Sequence, residues 1–192
     1  YLLCHFFGYS RMDDMLTEIN AGWGQKNDKA DIGLLVRGKN PEIIVECKTI
    51  GKKLTDKEAS QLNGYFINTK NSKIGILTNG LEWRFYAINN ATKSQNLFEI
   101  PYLTLDFSEI NDELIEQLSN FHRNHLTNNL NTLLEDIHEF YFMQGFDNAF
   151  ATELFEPSDA FIKAIFDRMD GKRMTDAVKD KIKSLINSNS IQ

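Results

Sequence analysis

Asp31-Ile-Gly-Leu-Leu-Val-Arg37, Gly38-Lys-Asn-Pro41 and Glu42-Ile-Ile-Val-Glu-Cys-Lys48 decide how this chain folds. The outer segments have the apolar content of strands and the middle one is turn chemistry, so a β-hairpin is predicted. Side chains alternate faces along a strand, which puts Glu46 and Lys48 on one face and Cys47 on the other, toward the core. A turn with an even number of residues sets odd positions of the first strand against even positions of the second. Asp31 then lies across from Glu46 or Lys48. Two carboxylates and one ammonium meet at the end of an apolar hairpin.

Carboxylates brought that close repel each other and resist joint ionisation. A hard divalent cation relieves the conflict: Mg²⁺ takes one or two carboxylates together with waters and phosphate oxygens, and Mn²⁺ can substitute for it. Lys48 beside such an ion can orient or help deprotonate a water and offset charge growing on a phosphate. Metal-assisted phosphodiester hydrolysis is the chemistry that suits this trio. A cross-strand salt bridge at a solvated strand end is the plain alternative, and the triplet alone does not separate the two.

The chain has 192 residues, 42% of them hydrophobic, enough for one cored domain with an appended subdomain. Strand patterns dominate residues 1–107 and acidic helical patterns residues 108–192, which sets the expected domain boundary. Cys4 and Cys47 are far apart with no zinc spacing, so a reduced, cytoplasmic protein is expected. Tyr1-Leu-Leu-Cys-His-Phe-Phe7 is apolar but too short to span a bilayer and has no basic leader. With no initial methionine, natural sequence is expected to precede it. Net charge is −6, yet residues 26–93 carry 12 Lys/Arg against 7 Asp/Glu, whereas residues 94–192 carry 8 against 17. A basic segment around the acid pair fits a phosphate-bearing partner, with Lys52, Lys53 and Lys57 as its nearest cations.

Met12, Met15, Leu16 and Ile19 have helical spacing, predicting a helix over 9–20 that carries Glu18. Thr55-Asp-Lys-Glu58 is a capping box, predicting a helix from there to about Thr69. Lys73–Thr78 and Leu81–Ile88 read as strands joined at Asn79-Gly80, and 97–107 holds a further strand interrupted by Pro101. Helices are predicted over 110–123, 126–143, 158–170 and 175–186, with Gly171 ending the third.

Glu18, Asp31, Glu46-Cys-Lys48 and Gln61-Leu-Asn-Gly-Tyr65, in that order, resemble the N-terminal nuclease domain of type I restriction enzyme R subunits, a branch of the PD-(D/E)xK nucleases. Gly75-Ile-Leu-Thr-Asn-Gly80 with Trp83-Arg-Phe-Tyr86 is similar to that family's next hairpin. Glu156-Pro-Ser-Asp-Ala-Phe161 through Gly171-Lys-Arg-Met-Thr-Asp176 resembles the helical end of its short, stand-alone members. The resemblance implies an α/β fold, a restriction-endonuclease-like mixed central sheet flanked by helices, with a helical C-terminal extension. It implies a Mg²⁺-dependent endodeoxyribonuclease in restriction or DNA defence, with DNA and restriction-modification subunits as partners. Asp31 and Glu46 are then metal ligands joined by the Cys47 backbone carbonyl and by Glu18. Lys48 acts on the attacking water, and Gln61 and Tyr65, one helical turn apart, serve DNA engagement or cleavage. Ala30 stands where the family name has proline. No motor is present in this chain: Gly33–Lys39 matches the start of a phosphate loop, but Asn40 replaces Ser/Thr and a strand follows.

Other patterns carry less. His122-x-x-His125 and Glu135-x-x-His138 lack the second Glu-x-x-His unit that a di-metal bundle needs. Cys47 has no nearby histidine to make it a nucleophile, and Trp83 is expected to pack, with Trp23 open. A catalytically silent DNA-binding or assembly module remains the second reading, and a scaffold built on the helical tail a third. Oligomeric state stays open.

Overall fold

The predicted hairpin forms, although its strands are shorter than its apolar run. The computed structural model describes residues 1–20, 29–69, 71–90, 96–169 and 173–189. A short α1 (Leu2–His5) precedes β1 (Met15–Asn20), β2 (Lys29–Leu34), β3 (Ile43–Cys47), α2 (Asp56–Ile67), β4 (Ile74–Thr78), β5 (Glu82–Asn89), β6 (Asn96–Leu97) and β7 (Leu103–Asp106). Then come α3 (Asp112–Ser119), α4 (Arg123–Phe155), α5 (Asp159–Arg168) and α6 (Asp176–Asn189). The expected α/β class is therefore observed: a mixed seven-stranded sheet with helices, ending in a helical part. The expectations placed on Trp23 and Gly171 fall outside the described residues.

Strand order is β1-β2-β3-β4-β5-β6, with β7 also paired to β5. Among the described residues only β3 and β4 run parallel, and α2 supplies the crossover between them that a parallel pair requires. The loop between β2 and β3 runs from Leu35 to Glu42. There Arg37 grips the Glu42 carboxylate through its backbone N–H at 2.8 Å and its guanidinium at 2.8 and 2.9 Å.

The segment predicted as the first helix is instead a tight turn followed by strand β1. Asp14 N–H closes the turn onto the Ser10 carbonyl at 2.9 Å, and Met15 to Asn20 pair antiparallel with β2. Thr17 and Ile19 are β-branched and suit the pleat, and pairing with β2 overrides the helical spacing of Met12, Met15, Leu16 and Ile19. Gly33 explains how this margin packs: a Cβ there would sit 2.1 Å from Ile19 Cδ1 and 2.7 Å from Pro41 Cβ, so only glycine fits.

Two faces divide the work. Leu62 of α2 lies over Gly75, on the face that also carries Ile44 and Tyr86. On the other face Phe85 meets Phe7 and Phe121, with ring centroids at 6.0 and 4.5 Å. Trp83 is buried beside Phe7, as expected.

The chain forms two units, Tyr1–His138 and Glu139–Gln192. Residue 107 thus marks where strands give way to helices, while α3 and the first half of α4 belong with the sheet. Within the first unit Leu126, Leu130, Leu133, Leu134 and Ile137 are buried, and Arg123 pairs with the buried Asp14 at 2.8 Å. In the second, Ile162, Phe166 and Ile182 form a small core with Ile165, Val178 and Ile186 around it. Helix α4 is one continuous element rather than ending near Met143. Among the described residues no helix is long and apolar enough to cross a membrane.

Candidate active site

The register sets Ile32 against Val45 and Gly33 against Ile44, so the next pair outward is Asp31 and Glu46. The even-numbered loop has the consequence expected of it, and the two carboxylates meet. Asp31 is exposed, and its Oδ2 accepts the Cys47 backbone N–H at 2.7 Å. Glu46 is 4% exposed. Its Oε1 receives Lys48 Nζ at 2.6 Å, while its Oε2 is buried and meets no hydrogen-bond donor among the described residues. Burial pushes the Glu46 carboxyl up from its ordinary value, and Asp31 pushes the same way by charge and direct contact; Lys48 opposes both. A buried acceptor without a donor is costly, so this oxygen is the strained point of the site.

Helix α2 completes the row. Gln61 Oε1 accepts a second bond from Lys48 Nζ at 2.7 Å, and Gln61 Nε2 donates to the Tyr65 phenol oxygen at 2.6 Å. The ammonium is donor-only, which fixes the amide with its oxygen inward and its NH₂ toward Tyr65. Polarity therefore runs one way, from ammonium through amide to phenol, and the Tyr65 O–H remains a donor for whatever approaches. The capping box that starts α2 is present: Glu58 Oε2 accepts the Thr55 backbone N–H at 3.1 Å and the Thr55 hydroxyl. Hydrogen bonds from Thr55 and then Lys52 pull the Glu58 carboxyl down to about 2.

Asp31, Glu46, Lys48, Gln61 and Tyr65 are thus brought together. Glu18 is not on a helix but on β1, at positive φ (52°), where the register sets it opposite Asp31. Its exposed carboxylate is held by Lys29 at 2.7 Å, which lowers its pKa by hydrogen bond and charge. Among the described residues no group of three His, Cys, Asp or Glu side chains is arranged to hold a metal ion. Two carboxylates remain within the number Mg²⁺ uses when waters and phosphate fill its shell.

Cys47 departs from expectation. It does point to the face opposite Glu46, but as the last residue of β3 it is exposed rather than in the core. Crowding around the sulfur, then the Asp31 and Glu46 charges, push its thiol up to about 11. Of the three lysines, Lys52 is engaged by Glu58 at 3.0 Å. Lys53 and Lys57 are exposed and form no ion pair among the described residues, and Lys57 shares the α2 stripe of Gln61 and Tyr65.

Asn79 escaped the sequence reading except as a turn residue. It is 7% exposed. Its Oδ1 accepts the Leu81 and Glu82 N–H groups at 2.9 and 2.7 Å, and its Nδ2 donates to the Lys52 carbonyl at 2.8 Å. It therefore ties the β4–β5 turn to the loop after Lys48 and shifts that turn to Gly80-Leu81, one residue later than predicted. The Lys48 backbone is held too, its N–H donating to the Thr78 carbonyl at 2.6 Å. The histidine patterns are structural: His138 Nε2 bonds the Ile88 carbonyl at 2.8 Å, and His122 lies beneath Gly8. A cavity of about 480 Å³ lined by Asp56, Ser60, Asn63 and Tyr86 lies along a different stripe of α2 and includes none of the five site residues.

No curated protein and no solved structure matches the chain. Residues 1–101, which contain the acid pair, Lys48, Gln61 and Tyr65, match the type I restriction enzyme R protein N terminus, and the chain belongs to that family.

Proposed function

We propose that this chain hydrolyses DNA phosphodiester bonds in a Mg²⁺-dependent manner, within a restriction system. The observation that carries this reading is the buried Glu46 Oε2, which has no donor and sits beside a second carboxylate. A cation satisfies that oxygen and removes the repulsion in one step. Asp31 and Glu46 would hold the ion, with the Cys47 carbonyl joining as the family resemblance implies. Glu18 joins only by leaving Lys29. Bound there, Mg²⁺ supplies polarisation of a phosphate oxygen and a more acidic water.

The chain's own residues do the rest. Lys48 is pinned by Glu46 and Gln61, so its charge is pre-positioned to offset charge growing on the phosphate and costs no reorganisation in the transition state. Tyr65, its oxygen already occupied by Gln61, offers its proton to a phosphate oxygen. Lys53 and Lys57 supply backbone attraction without base readout.

The test is supercoiled plasmid incubated with the full chain and Mg²⁺, without ATP. Nicking or linearisation is expected, and Asp31→Asn, Glu46→Gln and Lys48→Met should each slow it by roughly 10²-fold or more. An active wild type whose rate survives these changes removes the site assignment. Salt-dependent DNA binding with no Mg²⁺-linked cleavage makes the chain a catalytically silent DNA-binding module instead.

A further inference from the structure

We propose that the turn following Lys48 is a nucleobase-contacting wedge: Ile50, seated over the Gly80 turn, presses against a base step of the bound DNA and unstacks it. This rests on the DNA-cleaving reading above and adds to it a preference among substrates.

Ile50 is 74% exposed and Leu81 53% exposed, two large apolar side chains on the rim of a charged site. Scattered surface leucines and isoleucines need no explanation, but Ile50 is not loosely held. Lys52 N–H closes onto the Thr49 carbonyl at 3.0 Å, and Gly51 takes φ +82°. That combination is a type II turn, which requires a positive φ at its third residue and places Ile50 at the outer corner. The corner is braced from behind. Asn79 Nδ2 bonds the Lys52 carbonyl at 2.8 Å, and Lys52 Nζ pairs with Glu58 at 3.0 Å. Ile50 also lies over the neighbouring turn, its Cγ1 3.4 Å from where a Cβ on Gly80 would stand.

A flexible loop with an exposed isoleucine would fold it inward. Here the backbone bonds hold it out, two residues beyond the lysine of the site. Lys53 and Lys57, exposed and three and seven residues further along, attract the phosphates near it. Apolar wedges inserted at base steps are a recurring device for unstacking and kinking DNA, and the distortion is paid for by added contacts. Pyrimidine–purine steps unstack most easily, so cleavage should favour them over stiff A-tracts.

The experiment uses short duplexes carrying 2-aminopurine at central TA steps, mixed with the full-length chain in EDTA so that binding is read without cleavage. Anisotropy of a second, end-labelled duplex gives affinity. Wild type is expected to raise 2-aminopurine fluorescence several-fold. Ile50→Ser should lose most of that rise while weakening binding by roughly tenfold, and Ile50→Met should keep it. Binding without a rise, or an unchanged rise with Ile50→Ser, overturns the wedge and leaves the DNA reading standing. No binding at any salt concentration, in EDTA and equally with Mg²⁺ present, overturns both, beginning with the DNA reading.

Discussion

Glu46 is the residue on which the chemistry turns. Glutamine in its place keeps an acceptor for Lys48 and turns the donorless oxygen into an N–H₂ group facing Asp31. Glu46→Gln should therefore slow cleavage by roughly 10²-fold or more yet stabilise the fold by about 1 kcal/mol near neutral pH. The pH dependence has a definite sign. Glu46 has a raised pKa in the folded state, so below the ordinary glutamate value both states are protonated and it costs nothing. As pH rises the unfolded chain ionises first, stability is lost, and the loss is complete above the raised value. The advantage of Glu46→Gln should thus be small below the ordinary glutamate value and grow as pH rises above it, read as the shift in urea midpoint. A variant that loses more stability at the higher pH would show that the two acids are not in conflict. That Asp31 shares a face with Glu46 and Lys48 was legible in the sequence, because loop parity and side-chain alternation are arithmetic; that it meets Glu46 and not Lys48 came from the register. The exposure of Cys47 was not: alternation gives the face, but whether another layer still covers that face at a strand's last residue is a tertiary fact.

At the level of elements, α2 was legible from its first turn and β1 was not. A capping box is a local hydrogen-bond circuit and needs no tertiary help, whereas the helical spacing of four apolar residues over eight positions gives way to tertiary pairing. Pairing with β2 decided β1. Thr55→Ala should cost about 1 kcal/mol, measured by denaturant unfolding, because the first-turn N–H groups lose their acceptor. Acid acts on the same turn: the lowered pKa of Glu58 gives a contribution present above the ordinary glutamate value and lost as pH falls toward about 2. On the outer stripe, Lys57→Ala should leave stability unchanged and reduce the slope of log affinity against log salt by about one, checked by DNA titration at several salt concentrations. An unaltered slope would take α2 out of the DNA interface. Asn79 shows why positioning residues hide. Asn-Gly announces a turn, but not that the asparagine side chain reaches a second loop 27 residues away.

For the whole molecule, the α/β class followed from apolar strands and one capped helix, but the division after His138 could not be read. Helical periodicity continues through it, and only burial changes: Ile137 is 1% exposed, whereas Phe142, Phe146 and Phe150 are 68%, 54% and 48% exposed. Those aromatics are chymotrypsin targets on an accessible helix. Brief digestion should cut first between Phe140 and Phe155, and the sheet-containing fragment should resist further cleavage and retain the proposed DNA cleavage, followed by mass spectrometry and plasmid assay. First cuts within β3 or α2 would contradict this order. The margins of the sheet carry a final consequence. On one side β1 is interrupted by the left-handed Glu18, with Lys29 beside it; on the other, β5 is covered piecewise by β6 and β7, with Pro101 between them. Kinks, charges and prolines at such borders deny a neighbouring chain a continuous ladder to extend, so the fold is guarded against edge-to-edge aggregation even at high concentration.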